Sequence, residues 1–244
     1  LNKVHNWVDG TCTACGAPCD HKDSTHTTSN NNGDGTHSFT CSVCVNTVIE
    51  AHTATYSASG NVITESCSKC KATIGTATIS ATGKTYDGTA VEVIVSKTGS
   101  LENTDIPVTL TKDGEAFTGE PVNAGAYTAS ITLGDKTVSV DFTIAKAAAG
   151  ITLAPTPDTL TYTGEARYLI NAGEAVGGTL LYSSTENGEY TTSIPQGTNA
   201  GEYTVWYYVQ GDANHNDSAK DSVDVTIAKA EPRAEDFIFQ APDD

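Results

Sequence analysis

Three times in the first seventy residues a histidine opens a short stretch that closes on Cys-x-x-Cys: His5 before Cys12 and Cys15, His26 before Cys41 and Cys44, His52 before Cys67 and Cys70. The second and third copies superpose on a period of 26 residues. Each stretch is centred on turn residues: Val8-Asp9-Gly10, Asn32-Gly33-Asp34-Gly35 and Ser59-Gly60-Asn61. A hairpin folded about such a turn sets the histidine opposite the first cysteine. Two sulfurs and an imidazole then meet at its open end. Thiolate and imidazole are the ligands of tetrahedral zinc, and Cys-x-x-Cys lets both sulfurs reach one ion. A fourth ligand stands near two of the copies, Cys19 or His21 beside the first and His37 beside the second; the third has no evident one. A single site made of Cys41, Cys44, Cys67 and Cys70, disulfides confined to this segment, and free thiols are the alternatives.

The chemistry these residues support is structural. A catalytic zinc keeps an open position beside a general base, and no motif here supplies either. A redox Cys-x-x-Cys needs a helix N-terminus in a βαβ setting, and the segment has no helical period. It is also too polar to build a core, so a bound ion would take the place of one. The sequence holds no Gly-x-Ser-x-Gly, His-Glu-x-x-His or phosphate loop. Asp212 and Asp217 lack the spacing of a calcium loop, and a solvated turn is the expectation there. No Lys–Asn pair with a matching acid marks an intramolecular isopeptide bond.

The elements that must position these groups are short strands. The chain of 244 residues has room for two or three small domains, carries no methionine and has a formal charge of −17. That charge disfavours nucleic acid and anionic membranes, which need Lys and Arg to displace counterions. All seven cysteines lie before residue 71. Leu1 is not an initiator, and the chain reads as a fragment of something longer; the absence of a leader, span or anchor then says nothing about the parent.

From about residue 79 a longer period takes over. Lys84-Thr85-Tyr86-Asp87-Gly88-Thr89 is echoed by Leu160-Thr161-Tyr162-Thr163-Gly164-Glu165, and Asn123-Ala124-Gly125-Ala126-Tyr127-Thr128 by Asn199-Ala200-Gly201-Glu202-Tyr203-Thr204, each 76 residues on. Thr143-Ile144-Ala145-Lys146-Ala147 recurs as Thr226-Ile227-Ala228-Lys229-Ala230, 83 residues on. The second copy has therefore gained seven residues, naturally placed in the turn from Gly211 to Asp217. Within each copy apolar residues alternate: Val91, Val93, Val95; Tyr127, Ala129, Ile131, Leu133; Val138, Val140, Phe142, Ile144; then Tyr203, Val205, Tyr207, Val209 and Val223, Val225, Ile227. Period two in short runs split by Gly and Asn turns predicts an antiparallel sandwich with one buried face per strand.

These motifs resemble the bacterial Ig-like repeats of the MBG/YDG type, found in tandem in long surface proteins of Gram-positive gut anaerobes. The resemblance spans residues of about 80–230 and departs from the pattern at Thr163, where Asp is usual. It implies Ig-like sandwiches over 79–147 and 148–230, and with the Cys/His reading above it makes an all-β chain whose residues 1–78 are a Cys/His-rich, metal-stapled hairpin module. Residues 231–244 resemble the linker and first strand of a further repeat. It also implies a non-enzymatic stalk in a secreted, cell-wall or cell-surface protein, monomeric and without direct membrane contact. The rival reading is adhesion to a glycan or to a host or bacterial surface protein. Its platform would be the metal segment or the outward pair Trp206 and Tyr208, where the first copy has Ser130 and Thr132.

Overall fold

The computed structural model describes residues 7–8, 11–12, 26–41 and 47–232. Every regular element among them is a β-strand, and the fold is all-β and sandwich-like. The chain divides into two compact units, one of residues 1–83, 91–121 and 126–143, the other of 84–90, 122–125 and 144–244.

In the first unit His26–Asn31, Thr36–Cys41 and Thr47–Ala51 form an antiparallel sheet in that order. Ala54–Ser59, Val62–Cys67, Thr73–Ala81 and Val93–Gly99 form a second, each strand pairing with the one before it. Thr73–Ala81 runs through position 79, where the sequence changes texture, so the last Cys-x-x-Cys hairpin and the strand Val93–Gly99 flank one strand. A third sheet joins Glu115–Phe117 and Thr109–Lys112 to Gly125–Leu133 and Lys136–Ala145, of which residues 126–143 belong to this unit. Alternation decides what each strand buries. Ile63 and Cys67, Ala77 and Ile79, Tyr127, Ala129 and Ile131, and Val138 and Phe142 are all buried.

In the second unit Leu160–Thr161 lies parallel to Asp221–Ala228, which pairs with Gly201–Gly211, which pairs with Gly178–Ser183. The core gathers Leu160, Leu169, Ile170, Tyr182, Val205, Tyr207, Val225 and Ile227, with Tyr203 and Val223 packed partly buried against it. The register read from the alternation is the one observed in both copies.

The repeated motifs are framework pieces. Gly125 and Gly201 hold φ of 155° and 157°, a conformation that side chains avoid, just ahead of each tyrosine. Asp87 accepts hydrogen bonds from Lys84 Nζ at 2.7 Å, Thr89 N at 2.9 Å and Thr89 Oγ1 at 2.8 Å. In the second copy Leu160 replaces the lysine, and Thr163 Oγ1 accepts from Glu165 N at 3.4 Å. The lysine and the aspartate that it neutralises are thus exchanged together for uncharged residues, which accounts for Thr163. The Lys84 hydrogen bond, followed by those from Thr89, holds the Asp87 carboxyl at about 2. A depressed carboxyl stabilises the fold above its unfolded pKa, and that contribution is lost as pH falls toward the folded value. The stability lost by the second unit between about pH 4 and pH 2 should therefore shrink in Asp87→Asn, read as thermal midpoints across that window.

The turn Gly211–Asp217 is closed by its own carboxylates. Asp212 Oδ1 takes the Asn214 amide and His215 Nδ1, each at 2.7 Å, and Asp217 Oδ1 takes the Gly211 amide at 2.9 Å.

Candidate metal centre

The strand Thr36–Cys41 turns His37 and Phe39 to its buried side, and the side chain of His37 is fully buried. Thr36 pairs with Ala51 on the neighbouring strand, so His52, the residue after Ala51, falls beside His37. Their rings stack at 5.6 Å between centroids and 15° between planes. The hairpin Ala54–Ser59/Val62–Cys67 then delivers Cys67, fully buried, at its open end. His37, His52 and Cys67 each present a ligand atom within 4.8 Å of the others, a group that can hold a metal ion. His37 Nδ1 faces Cys67 Sγ at 3.8 Å, and His52 Nε2 faces Cys70 Sγ at 3.9 Å. Ligand bonds of about 2.0–2.3 Å in a tetrahedron put nitrogen and sulfur about 3.5 Å apart, so small shifts separate both pairs from ligation.

The Cys-x-x-Cys turn is shaped around the first sulfur. Lys71 N–H returns to Cys67 O and Cys67 N–H to Ala72 O, both at 2.9 Å, and the Cys70 amide points at Cys67 Sγ from 3.4 Å. Burial pushes the Cys67 thiol up, but the amides of Cys70 and Lys69 outweigh it and hold the thiol below its ordinary value. Cys67 and Cys70 are free thiols, not a disulfide. Lys71 closes the turn with φ 63°, a left-handed conformation. That conformation costs a side-chain-bearing residue about 1–2 kcal/mol, so Lys71→Gly should raise stability by up to about 1 kcal/mol in urea titration.

The second nitrogen of His37 is the strongest sign that the site is built for a charge. Nε2 is buried with no hydrogen-bond partner, 3.6 Å from Glu50 Oε2, which also bonds the Lys69 ammonium. A buried polar atom left so costs about 1–3 kcal/mol. A metal on Nδ1 would fix the proton on Nε2, where the Glu50 carboxylate can take it, the usual outer-shell arrangement of ligating histidines.

Beside His52 a cavity of about 570 Å³ is lined in part by Asn31, Glu65, Thr73 and Ser100. Glu65 is largely buried, but both of its oxygens are engaged, by Tyr56 Oη at 3.3 Å and by the Ser100 hydroxyl. It is held as a cross-link between strands.

The structure regroups the ligands expected from sequence. His37, placed with the second copy by proximity in sequence, stands in the third copy's missing fourth position. In the second copy His26 pairs with Cys41, as a hairpin about Asn32–Gly35 requires. In the third, the tight turn at Gly60 puts Ala54 opposite Cys67, and His52 lies two residues further from the turn. In the first, Trp7 pairs with Cys12. His5, Cys15, Cys19, His21 and Cys44, and the side chains of Cys12, His26 and Cys41, lie outside the described residues, and the four-cysteine alternative with them. Glu50 and Glu65 carry no sequence signal beyond their places on alternating strands.

Trp206 and Tyr208 are half-buried. Tyr190 meets Tyr208 edge-on at 4.9 Å, and Lys220 lies 4.8 Å over the Tyr190 ring.

No protein-family model matches the chain, and no curated protein matches it.

Proposed function

We propose that the chain is a non-enzymatic, structural part of a secreted bacterial surface protein: two Ig-like repeats of the MBG/YDG type in series behind a zinc-stapled hairpin module. One observation carries this reading. The two repeats reproduce one framework, and the carboxylates of its turns are used up inside it. Ile144 and Ala145 pair in parallel with Lys84 and Thr85; Ile227 and Ala228 do the same with Leu160 and Thr161. The Tyr86 amide bonds Ala145 O at 2.8 Å, and the Tyr162 amide bonds Ala228 O at 2.8 Å. Asp87, Asp212 and Asp217 all close turns. Conserving a scaffold while spending its functional groups on backbone suits a spacer. In the Cys/His module His37, His52, Cys67 and Cys70 would hold zinc, which supplies a cross-link between strands that share little apolar surface.

The adhesin reading rests on Trp206 and Tyr208. Tyr190 already covers part of that face, which favours the spacer. A glycan array probed with the metal-loaded chain decides between them. The expected result is no binding beyond that of a Trp206→Ala/Tyr208→Ala double variant. A glycan hit lost in that variant would assign the face to adhesion and overturn the stalk.

A further inference from the structure

The seven residues gained by the second copy have a partner, and that partner has a duplicate that none of the described residues fills. All the groups involved lie in the second unit. Asn214 Oδ1 accepts the Ala124 amide at 2.8 Å, and Asn214 Nδ2 donates to Asn123 Oδ1 at 3.0 Å. Ala147 and Ala148 pair in parallel with His215 and Asn216, and the Ala147 amide bonds Asn214 O at 2.9 Å. Lys146 Nζ reaches the carbonyls of Asp212 and His215 at 3.3 and 3.4 Å. The His215 ring sits edge-on to Tyr86 at 5.3 Å. Tyr86, Asn123, Ala124, Lys146 and Ala147 thus form a receptor for the turn Asp212–Asn216.

Shifted by the repeat offsets of 76 and 83, those five residues become Tyr162, Asn199, Ala200, Lys229 and Ala230. The five line a single cavity of about 410 Å³, together with Glu231 and Pro232. Their framework matches that of the first receptor, as the paired ladders and tyrosine amides show. Their exposure does not: Tyr162 is 43% exposed, where Tyr86 under His215 is half-buried. Among the described residues nothing bonds the Asn199 side chain, the Ala200 and Ala230 amides or the Lys229 ammonium.

We propose that this cavity is a docking site for the Asp-x-Asn-His-Asn turn of a further β-repeat. Such a turn brings an asparagine to bridge Asn199 and the Ala200 amide, carbonyls for Lys229, a short parallel ladder for Ala230 and a ring for Tyr162. The occupant is not a second copy of this chain, whose only such turn is already engaged. The choice of occupant rests on the stalk reading; the bonds to be tested do not.

The experiment is amide hydrogen exchange on the full chain and on a chain in which residues 148–230 are repeated after Ala230. In the full chain Ala124 should be protected and Ala200 should exchange freely, with Asn214→Ala releasing Ala124. In the extended chain Ala200 and Ala230 should slow by about 100-fold, since a hydrogen-bonded amide exchanges only through opening. Asn214→Ala placed in the added copy should restore fast exchange at Ala200 while that copy stays folded, because both hydrogen bonds of this side chain go to the receptor. Fast exchange at both amides beside a folded added copy would overturn the proposal. So would protection of Ala200 in the unextended chain, whether concentration-dependent, which would make a second copy the occupant, or not. A glycan hit at Trp206 and Tyr208 would sink the stalk reading and leave this result standing.

Discussion

Elemental analysis of chain purified without chelator and kept reduced should return at least one zinc, and His37→Ala should lose one equivalent of it. The expectation follows from His37 itself. The residue is fully buried, faces a buried sulfur at 3.8 Å and leaves its second nitrogen beside a carboxylate. Outer-shell changes around a zinc histidine already cost about 10–100-fold in affinity, so removing the ligand costs more and Glu50→Gln falls in that range. Structural zinc contributes about 10–16 kcal/mol to small domains that have little else. Chelation should therefore melt the strands around His37 and Cys67 while the second unit keeps its signals, followed residue by residue in NMR spectra. Acid should act as chelator does, because both thiols must be ionised and both imidazoles neutral to bind. Less than about 0.3 equivalents of zinc in reduced protein would mean that these cysteines and histidines serve something else.

How far this site was readable from sequence depends on which distances the chain itself fixes. Cys-x-x-Cys is local, so Cys67 and Cys70 were legible, and His52 came with them through the repeat of 26. His37 is visible as a candidate beside the second copy, and among the described residues it stands with His52 and Cys67 of the third. Cys67, which it faces, lies 30 residues away, and the neighbour that places it, Thr47–Ala51, pairs on the side away from its own hairpin. Sheet order is a long-range fact that hairpin spacing does not encode. The inward faces were legible for the opposite reason. Period-two alternation is fixed by the backbone, and Tyr127, Ala129 and Ile131 had to share a side once the strand existed. The use of Asp212 and Asn214 was hidden, since nothing in a turn's own composition shows what it will meet 90 residues earlier in the chain.

Tyr127→Ala should bring the first unit close to unfolding. The two tyrosines of the repeated motif, alike in sequence, differ here. Tyr127 is 2% exposed, stacks on Phe142 at 5.3 Å and 7°, and takes the edge of Phe117 at 5.5 Å. Removing such a ring from a core costs about 3–5 kcal/mol, a large share of the roughly 5–15 kcal/mol that holds a small domain. Tyr203 packs only partly buried against its core, and its hydroxyl reaches Asn199 O at 2.8 Å near the rim. Tyr203→Ala should cost less, about 2–3 kcal/mol, and leave the second unit folded but easier to melt. Trp206 stands on the opposite face between Ser183 and Ser222, so Trp206→Ala should cost about 1 kcal/mol. Urea midpoints of the three variants, read by tryptophan fluorescence for the tyrosine variants and by circular dichroism for all, give the order. Equal losses for Trp206→Ala and Tyr203→Ala would contradict the observed faces, because a strand slipped by one residue exchanges every inward side chain for an outward one.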